Sequence, residues 1–497
     1  MAPLNEYSTI AAVDLGSNSF RLQVARVVDD QLYPLDSLRE NVRLAGGLSA
    51  DKHLDEASQL RALECLARFG ERLRGLPRQA VRVVGTSTLR VAKNSAEFLR
   101  KAEAALGFPI EVVAGREEAR LIYLGVAHAL PPSLQRRLVV DIGGGSTECI
   151  IGTALEPFKL ESLHMGCVNF TQRFFPDGKV DKASLKEAEL AARAEVQCIA
   201  ADFNAGEWDE ALGSSGTARA LADILEQSGY SAGGITRDGL AQLRGDILKA
   251  GDSKRFDFPG MKPDRKPVLA GGYAVMSALF TELGIERMSV ASAAMREGIL
   301  YDLLGRVHHH DMRDATVTQF MRRYHVDPAQ AERVERLAVA LFEQTGNADR
   351  DDPESPLQYL IWAARLHEIG ISIAHAGYHK HSAYIVQNAD MPGFSRMEQA
   401  RLALLVRAQR GALAKVPELG PSHADWPLII ALRLAVLFHR SRTGIQLPQM
   451  RLECADAACQ LFIARQWLEQ NPLTEAALQA ESKEWKAVGL GFKLVAA

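Results

Sequence analysis

Two aspartates, Asp14 and Asp141, stand 127 positions apart at the same point of a repeated segment. The first copy reads Ala12-Val13-Asp14-Leu15-Gly16-Ser17-Asn18-Ser19. The second reads Val139-Val140-Asp141-Ile142-Gly143-Gly144-Gly145-Ser146-Thr147. Each is an apolar run, an Asp, one aliphatic residue, and a turn of glycine with small hydroxyl or amide residues. The run predicts a buried strand, and the turn has the composition of a tight hairpin. Glycine and serine let backbone N–H groups close on an anion, so each turn is a candidate phosphate cradle. A carboxylate at the strand end can hold a cation or a water. Two such units in one chain predict two similar lobes facing each other across a phosphate-filled cleft.

Further candidates lie between and after the copies. Gly85-Thr86-Ser87-Thr88-Leu89-Arg90 follows a predicted strand at 80–84, and Ala114-Gly115-Arg116-Glu117-Glu118 follows another at 110–113. An arginine near a phosphate loop offers bidentate recognition. Arg90 is the first candidate; Arg21 and Arg43 are secondary ones, for which a surface arginine is the ordinary reading. A carboxylate such as Glu118 at a helix start ordinarily does no more than complement the helix dipole. Ser214-Ser215-Gly216-Thr217 opens a helix, so it can contact phosphate or simply cap that helix. Glu148 follows the second glycine turn, and hairpin geometry can put it on the same side as Asp141.

The elements that must position these residues alternate. Strands are predicted at 9–14 and 21–28, with 31–35 as a third. Residues 56–74 carry Leu60, Leu63, Leu66, Phe69 and Leu73 at helical spacing, an amphipathic helix for one face of a sheet. A helix begins near Ala119, and the β-then-α order indicates an α/β lobe. A second lobe starts near Leu138, with a hairpin at 138–141 and 148–152, a long helix at 182–204, further strands at 268–272 and 288–290, and a closing helix at 296–304. Past about residue 306 helical periodicity dominates to about 440, and ten of the thirteen histidines lie there. The His308–His310 run is taken as a natural linker. Beyond Met450, short apolar runs at 461–463 and 489–495 predict a small terminal sheet. The resulting domains are 1–125, 126–307, 308–447 and 448–497.

A chain of 497 residues is too long for one core. With 47% hydrophobic and 24% charged residues it is an ordered globular protein. A net charge of −3 excludes a generally basic nucleic-acid binder, so any polyanion site must be a local patch. The six cysteines (65, 149, 167, 198, 454, 459) form no CxxC pair, which predicts reduced structural thiols and no zinc site. Neither a signal-peptide pattern nor a bilayer-length apolar run is present, so the chain is read as cytoplasmic.

Taken together, Asp14–Phe20, Gly85–Arg90, Gly115–Leu121, Asp141–Glu148, Met165-Gly166-Cys167, Ser214–Thr217 and Arg296-Glu297-Gly298 resemble the exopolyphosphatase and guanosine-pentaphosphate phosphohydrolase (Ppx/GppA) family. The resemblance continues through Leu366-His367-Glu368-Ile369-Gly370 and His379-Lys380-His381-Ser382 and comes closest to the long bacterial exopolyphosphatases. It implies an α/β fold of two ribonuclease-H-like lobes, as in actin, sugar kinases and heat-shock chaperones. An all-α domain like that of the HD phosphohydrolases and a small C-terminal α+β domain follow.

The resemblance also implies roles. Glu118 becomes the base that deprotonates water for attack on a terminal phosphorus, with Glu117 the near alternative. Asp141 and Glu148 become magnesium carboxylates, and Asp14 the matching carboxylate of lobe one. Gly16, Ser17, Asn18, Ser19, Gly143, Gly144, Gly145, Ser146 and Thr147 would bind phosphate oxygens, joined by Arg90 and by Ser215, Gly216 and Thr217. Potassium is the expected stimulating ion. In the helical domain Glu368 stands where HD enzymes carry Asp, and Gln330 where they carry a ligand His, which argues against a metal centre there. His375, His379 and His381, with Lys380 and Arg396, would serve a structural or polyanion-guiding role. Ala291-Ser292-Ala293-Ala294-Met295 lacks the family's usual Asp-Gly.

The implied activity is magnesium-dependent, processive hydrolysis of terminal phosphoanhydride bonds in inorganic polyphosphate. Its setting would be a homodimer whose C-terminal half, with Arg401, Arg407, Arg410 and Lys415, extends the cleft into a channel. The alternatives are conversion of guanosine pentaphosphate to tetraphosphate, a sugar-kinase-like phosphotransfer, and a silent polyphosphate sensor. Nucleic acid is not an expected partner, and the expected location is the cytoplasm or the inner face of the cell membrane.

Overall fold

A computed structural model describes residues 8–28, 31–131, 133–307, 311–345, 355–416, 419, 423–442, 444, 446–455 and 458–496. The His308–His310 run lies outside the described residues. The chain divides into two compact units, 1–310 and 311–497.

The first unit is built on two sheets. Strand β1 (Thr9–Leu15) pairs antiparallel with β2 (Phe20–Val28), and β2 with β3 (Gln31–Glu40). On its other side β1 runs parallel to β4 (Val81–Gly85), and β4 to β5 (Glu111–Val112), giving the order β3-β2-β1-β4-β5. The second sheet repeats this plan with β6 (Arg137–Ile142), β7 (Thr147–Thr153), β8 (Glu156–Leu163), β9 (Glu210–Gly213) and β11 (Arg287–Val290). Its order is β8-β7-β6-β9-β11, with the short strand β10 (Ile235–Thr236) antiparallel at the edge. The central strands β1 and β6 are covered on both faces, so they read as continuous apolar runs without alternation. Two ribonuclease-H-like sheets in tandem make this the actin-like fold, and the sequence repeat is a repeat of structure.

The helices of this unit are α1 (Glu56–Leu73), α2 (Ser87–Val91), α3 (Ser95–Leu106), α4 (Gly115–Ala129), α5 (Cys167–Phe174), α6 (Lys182–Gln197), α7 (Ala200–Phe203), α8 (Gly216–Gln227), α9 (Arg237–Ala250), α10 (Leu269–Glu282) and α11 (Met295–Val307). Helix α4 leaves the first sheet and packs on β7 and β8 of the second. Helix α11 leaves the second and packs on β1, β2 and β4 of the first. The two cross at glycines. A Cβ on Gly298 would lie 1.7 Å from the Leu121 carbonyl oxygen, and one on Gly125 2.1 Å from that of Ala294. The boundary drawn between 125 and 126 falls inside α4, which is one continuous helix shared by both lobes.

Several local expectations are corrected. Residues 269–272 form the start of α10, with Val268 as its N-cap, and are not a strand. A short apolar run buried all round has the same pattern in either conformation. The helix predicted over 182–204 breaks after Gln197 and resumes as α7. Residues 86–90 are mostly helical. Leu60 is 58% exposed, because steps of three from residue 60 to 69 carry it to the opposite side of the stripe made by Ala62, Cys65, Leu66, Phe69 and Leu73. Among the described residues no helix is long and apolar enough to cross a membrane.

In the second unit the helices are α12 (Met312–Arg323), α13 (Pro328–Glu343), α14 (Pro356–Leu366), α15 (Tyr378–Asn388), α16 (Arg396–Ala408) and α17 (Trp426–Phe438). A three-stranded sheet follows, β12 (Met450–Ala455), β13 (Ala458–Ile463) and β14 (Gly491–Ala496), with α18 (Arg465–Gln470) and α19 (Pro472–Lys486) between β13 and β14. One apolar core takes in both parts, from Leu360 and Trp362 through Leu432 to Leu461, Trp485 and Phe492. The border set between 447 and 448 therefore separates no core. Cys454 and Cys459 sit directly opposite each other on β12 and β13 and form a disulfide, which corrects the expectation of six reduced thiols. Cross-strand register, not sequence spacing, brings them together.

Candidate active site

The two glycine turns meet at the centre of the first unit. In β1–β2, Asp14 is paired across the hairpin with Arg21; in β6–β7, Asp141 is paired with Glu148. The turns are made alike. A Cβ on Gly16 would sit 3.0 Å from the Ser19 carbonyl oxygen, and one on Gly143 3.1 Å from that of Ser146. They also touch: a Cβ on Gly144 would lie 3.0 Å from Ser17 Cβ. Glycine at 144 eases this close approach of the two turns. The backbone N–H groups of Arg43 and Ala45 brace the first turn by donating to the carbonyls of Asn18 (2.8 Å) and Ser17 (2.9 Å). The Arg43 side chain is not part of the cleft lining.

The cleft between the turns is lined by Asp14, Gly16, Ser17, Asn18, Ser19, Glu118, Asp141, Gly143, Gly144, Ser146, Ser215, Gly216 and Thr217, all anticipated from sequence. Other anticipated residues stand behind it. Thr147 turns its hydroxyl to the Met165 carbonyl (2.6 Å), and Gly145 is packed against Ser87 and Ser17. Glu148 is 1% exposed and accepts a hydrogen bond from Ser162 (2.8 Å). Arg90 donates from Nη1 to Glu118 Oε2 (3.0 Å) and to the Val113 carbonyl (2.9 Å), so it grips a carboxylate from the rear of the cleft. Glu117, the near alternative to Glu118, is turned away and held by Arg120 through two hydrogen bonds of 2.8 Å.

Four carboxylates share this centre, Glu118 and Glu148 buried and Asp14 and Asp141 half-buried, and their charges resist one another. Burial raises Asp14 to about 7; Glu118 and Asp141 add to the rise, and Arg21 and Arg296 oppose it. Glu118 is also raised by burial, against the pull of Arg90 and with a push from Asp141. Glu148 is raised well above the ordinary carboxylate range by burial and by Glu118 and Asp141. Burial raises Asp141 too, while the Ser214 hydroxyl, 2.6 Å from Oδ2, and Arg21 lower it. Among the described residues no three His, Cys, Asp or Glu converge closely enough to hold a metal by themselves. The donor set still fits magnesium, which takes one or two carboxylates and fills its remaining positions with water and phosphate oxygens. Asp141, with Asp14 across the cleft, is the available pair, and a cation there would relieve the repulsion.

The cationic side of the cleft holds more arginines than the sequence reading named. Ser215 Oγ caps Ala218 N (3.0 Å), and the Thr217 hydroxyl bonds the Ile142 carbonyl (3.1 Å), so these side chains are structural. The N-terminus of α8 meanwhile faces the cleft, where a helix start favours an anion. Arg21, Arg219, Arg265 and Arg296 join the lining. A Cβ on Gly216 would lie 2.1 Å from Arg265 Nη2, so glycine leaves the room in which that guanidinium rests. Arg39 stands beside them. Burial lowers its pKa, Arg21, Arg265 and Arg219 lower it further, and Asp264, 3.5 Å away, opposes. Arg296 is partnered by Glu297 (3.1 Å), and Arg219 donates to the Ser292 carbonyl (3.2 Å), at the segment that departs from the family pattern. Arg219 could have been found from its place one turn into α8. Arg265 has no local signal and arrives through tertiary packing.

The second unit holds its histidines differently. His367 is buried, with Nδ1 2.6 Å from the Ala364 carbonyl, and burial holds its pKa down at about 4. Glu368 pairs with Arg442 (2.6 Å), and Gln330 donates to the His439 carbonyl (2.8 Å). Of the predicted basic cluster, Arg401 is engaged by Asp425 (2.7 Å) and lies over the Tyr359 ring. Arg407 and Arg410, with Lys380, surround His379, which burial and these charges press down to about 4.

The Ppx/GppA phosphatase family model matches residues 23–307, and that of Ppx/GppA phosphatase domain III matches residues 312–482. A protein of Pseudoalteromonas translucida named guanosine-5'-triphosphate,3'-diphosphate pyrophosphatase is 37% identical over 488 residues, 98% of this chain and 97% of its own. The crystal structure of the Aquifex aeolicus member of the Ppx/GppA family is 25% identical, with a TM-score of 0.50 over 60% of this chain and 97% of that one. An exopolyphosphatase from Cytophaga hutchinsonii, 24% identical with a TM-score of 0.54 over 60% of this chain and 97% of its own, shares the fold. Two glycine turns closing on one another, a group of four carboxylates beside them and matches along nearly the whole length have one explanation: the chain belongs to the Ppx/GppA phosphatase family, hydrolases that act on phosphoanhydride bonds.

Proposed function

We propose that this protein removes the terminal 5'-phosphoryl group of guanosine pentaphosphate, leaving the tetraphosphate and orthophosphate. The observation that carries this reading is the likeness, along almost the entire chain, to the Pseudoalteromonas enzyme named for that nucleotide. The arginines at the cleft support it. A guanosine pentaphosphate carries a 3'-diphosphate besides its 5'-triphosphate. Arg21, Arg39, Arg219 and Arg265, within electrostatic reach of one another, form a cationic group suited to a second anionic branch.

In this reading the two glycine turns and the start of α8 hold the terminal phosphates through backbone N–H groups. Glu118, kept less acidic by burial, takes a proton from water. The water oxygen bonds to the terminal phosphorus, the bond to the bridging oxygen breaks, and its electrons remain on the leaving diphosphate. Magnesium, when bound by Asp141 with Asp14, would neutralise the charge of the phosphates. Positioning and electrostatic stabilisation supply most of the rate.

Hydrolysis of inorganic polyphosphate is the second reading. It is favoured by the machinery at the turns, which grips phosphate and requires neither base nor sugar. The deciding experiment compares kcat/KM on guanosine pentaphosphate and on long-chain polyphosphate, each with magnesium. A higher value for the nucleotide is expected. A tenfold preference for polyphosphate would replace the first reading with the second.

A further inference from the structure

Next to Glu118 lies a buried charge network that stands outside the cleft lining. Glu117 accepts two hydrogen bonds of 2.8 Å from Arg120, one turn further along α4. Arg120 also donates to Asp302 on α11. Asp302 accepts in addition from Arg82 on β4 and from Arg306 Nε (3.2 Å), and Arg82 reaches Glu111 (3.1 Å) at the start of β5. Three arginines thus face three carboxylates. All but Glu111 are nine-tenths or more buried. Burial disfavours the ionised form of Asp302, yet Arg120, Arg82 and Arg306 outweigh it and hold the group well below the ordinary carboxylate range.

Such a network is a costly way to join a helix to a sheet. Well-packed apolar residues of the same volume are commonly as stable or more so. What it adds is direction. Neighbouring residues on a helix point about 100° apart. With Glu117 tied toward α11, Glu118 is turned into the cleft, and Arg90 holds it from behind. Asp302 further ties Arg120 to the helix whose first turn carries Arg296 and Glu297 in the same cleft. We infer that Asp302 is a positioning residue for Glu118, acting through Arg120 and Glu117 to hold the first turn of α4 in the rotation that presents Glu118 to the attacking water. This inference rests on the reading of Glu118 as the base.

The test is a double-mutant cycle with Glu117→Gln and Asp302→Asn, each made alone and together with Glu118→Gln, with kcat and KM measured on guanosine pentaphosphate and tripolyphosphate. Misplacing a reacting group by about an ångström costs up to ~10²-fold. Each single variant is therefore expected to lose about 10- to 100-fold in kcat with KM within about twofold. In the Glu118→Gln background the same change should cost nothing more, because nothing is left to position. An unchanged kcat in Glu117→Gln overturns the inference, as does an equal-fold loss in both backgrounds, which is what a general loss of folded protein would produce. If Asp302→Asn does not fold, the Glu117→Gln cycle decides alone. If Glu118→Gln itself keeps more than about a tenth of kcat, against the ~10²–10⁴-fold expected for a lost general base, the base assignment fails and takes this inference with it.

Discussion

Arg21 and Glu148 hold the same place in the two halves of the cleft. Each is paired across its hairpin with the aspartate of its own turn, Arg21 with Asp14 and Glu148 with Asp141, and the 127-residue offset of the aspartates is theirs as well. One structural position has therefore become a cation in lobe one and a carboxylate in lobe two. The first lies in the cleft lining; the second is buried behind it. Arg21→Gln should lower kcat/KM by about 10- to 100-fold, the cost of a charge-assisted hydrogen bond of roughly 1.5–3 kcal/mol, mostly through KM. Asp141→Asn should instead shift the activating magnesium concentration upward. An Asp141→Asn enzyme that titrates with magnesium as the unmodified enzyme does would place the cation elsewhere.

Arg90 bonds Glu118 and favours its ionised form. Removing that partner raises the Glu118 pKa further, and a general base works only when ionised. Arg90→Met should therefore move the acid limb of the kcat/KM profile to higher pH while activity at the alkaline plateau is largely kept. A profile that falls uniformly at all pH values would mean that Arg90 serves the substrate directly.

Burial raises Asp14 to about 7 in the folded chain, from an ordinary value of 3.8. Between those values the folded state binds the extra proton. The stability contributed by Asp14 is thus complete below about pH 4 and is lost as pH rises through 7. Asp14→Asn should remove that loss. Thermal unfolding in EDTA should show the variant gaining more in Tm at pH 8 than at pH 5. A gain confined to pH 5 would reverse the sign and refute the assignment.

The crossing of α4 and α11 leaves no space for a methyl group at Gly298. Gly298→Ala should destabilise the first unit by roughly 1–3 kcal/mol or more, the usual cost of overpacking, and depress activity by moving Glu118. Gly245 in α9 is the control, since a Cβ there meets nothing within 4 Å. Gly245→Ala should be neutral or stabilise by up to ~1 kcal/mol. Equal Tm values for the two variants would contradict the close crossing.

Much of this architecture is written locally. The apolar runs before Asp14 and Asp141, the glycine turns after them and the loop at Ser214–Thr217 declare themselves by residue type. Strand burial, tight turns and helix starts each need only neighbours in the chain. The duplicated lobes and most of the cleft lining follow from those patterns. The same patterns go silent where conformation depends on distant partners. Residues 268–272 are apolar enough for a strand or a buried helix, and packing against Cys167 and Thr217 accompanies the helix.

From the sequence alone, then, came two glycine-turn hairpins, a carboxylate pair at the start of a helix, and a chain whose character changes near residue 306. The tertiary structure decided which carboxylate faces the cleft. Glu117 and Glu118 are neighbours of identical chemistry, and the choice between them is made by Arg120, Asp302 and Arg90, the second of these lying 182 residues beyond Arg120. It also decided that Arg90 holds a carboxylate, that Arg219 and Arg265 line the cleft, and that Cys454 meets Cys459. The physical reason is common to all of them. Period and turn chemistry are properties of adjacent residues, whereas the direction of a side chain and the partner of a buried charge are properties of whatever the fold packs against it.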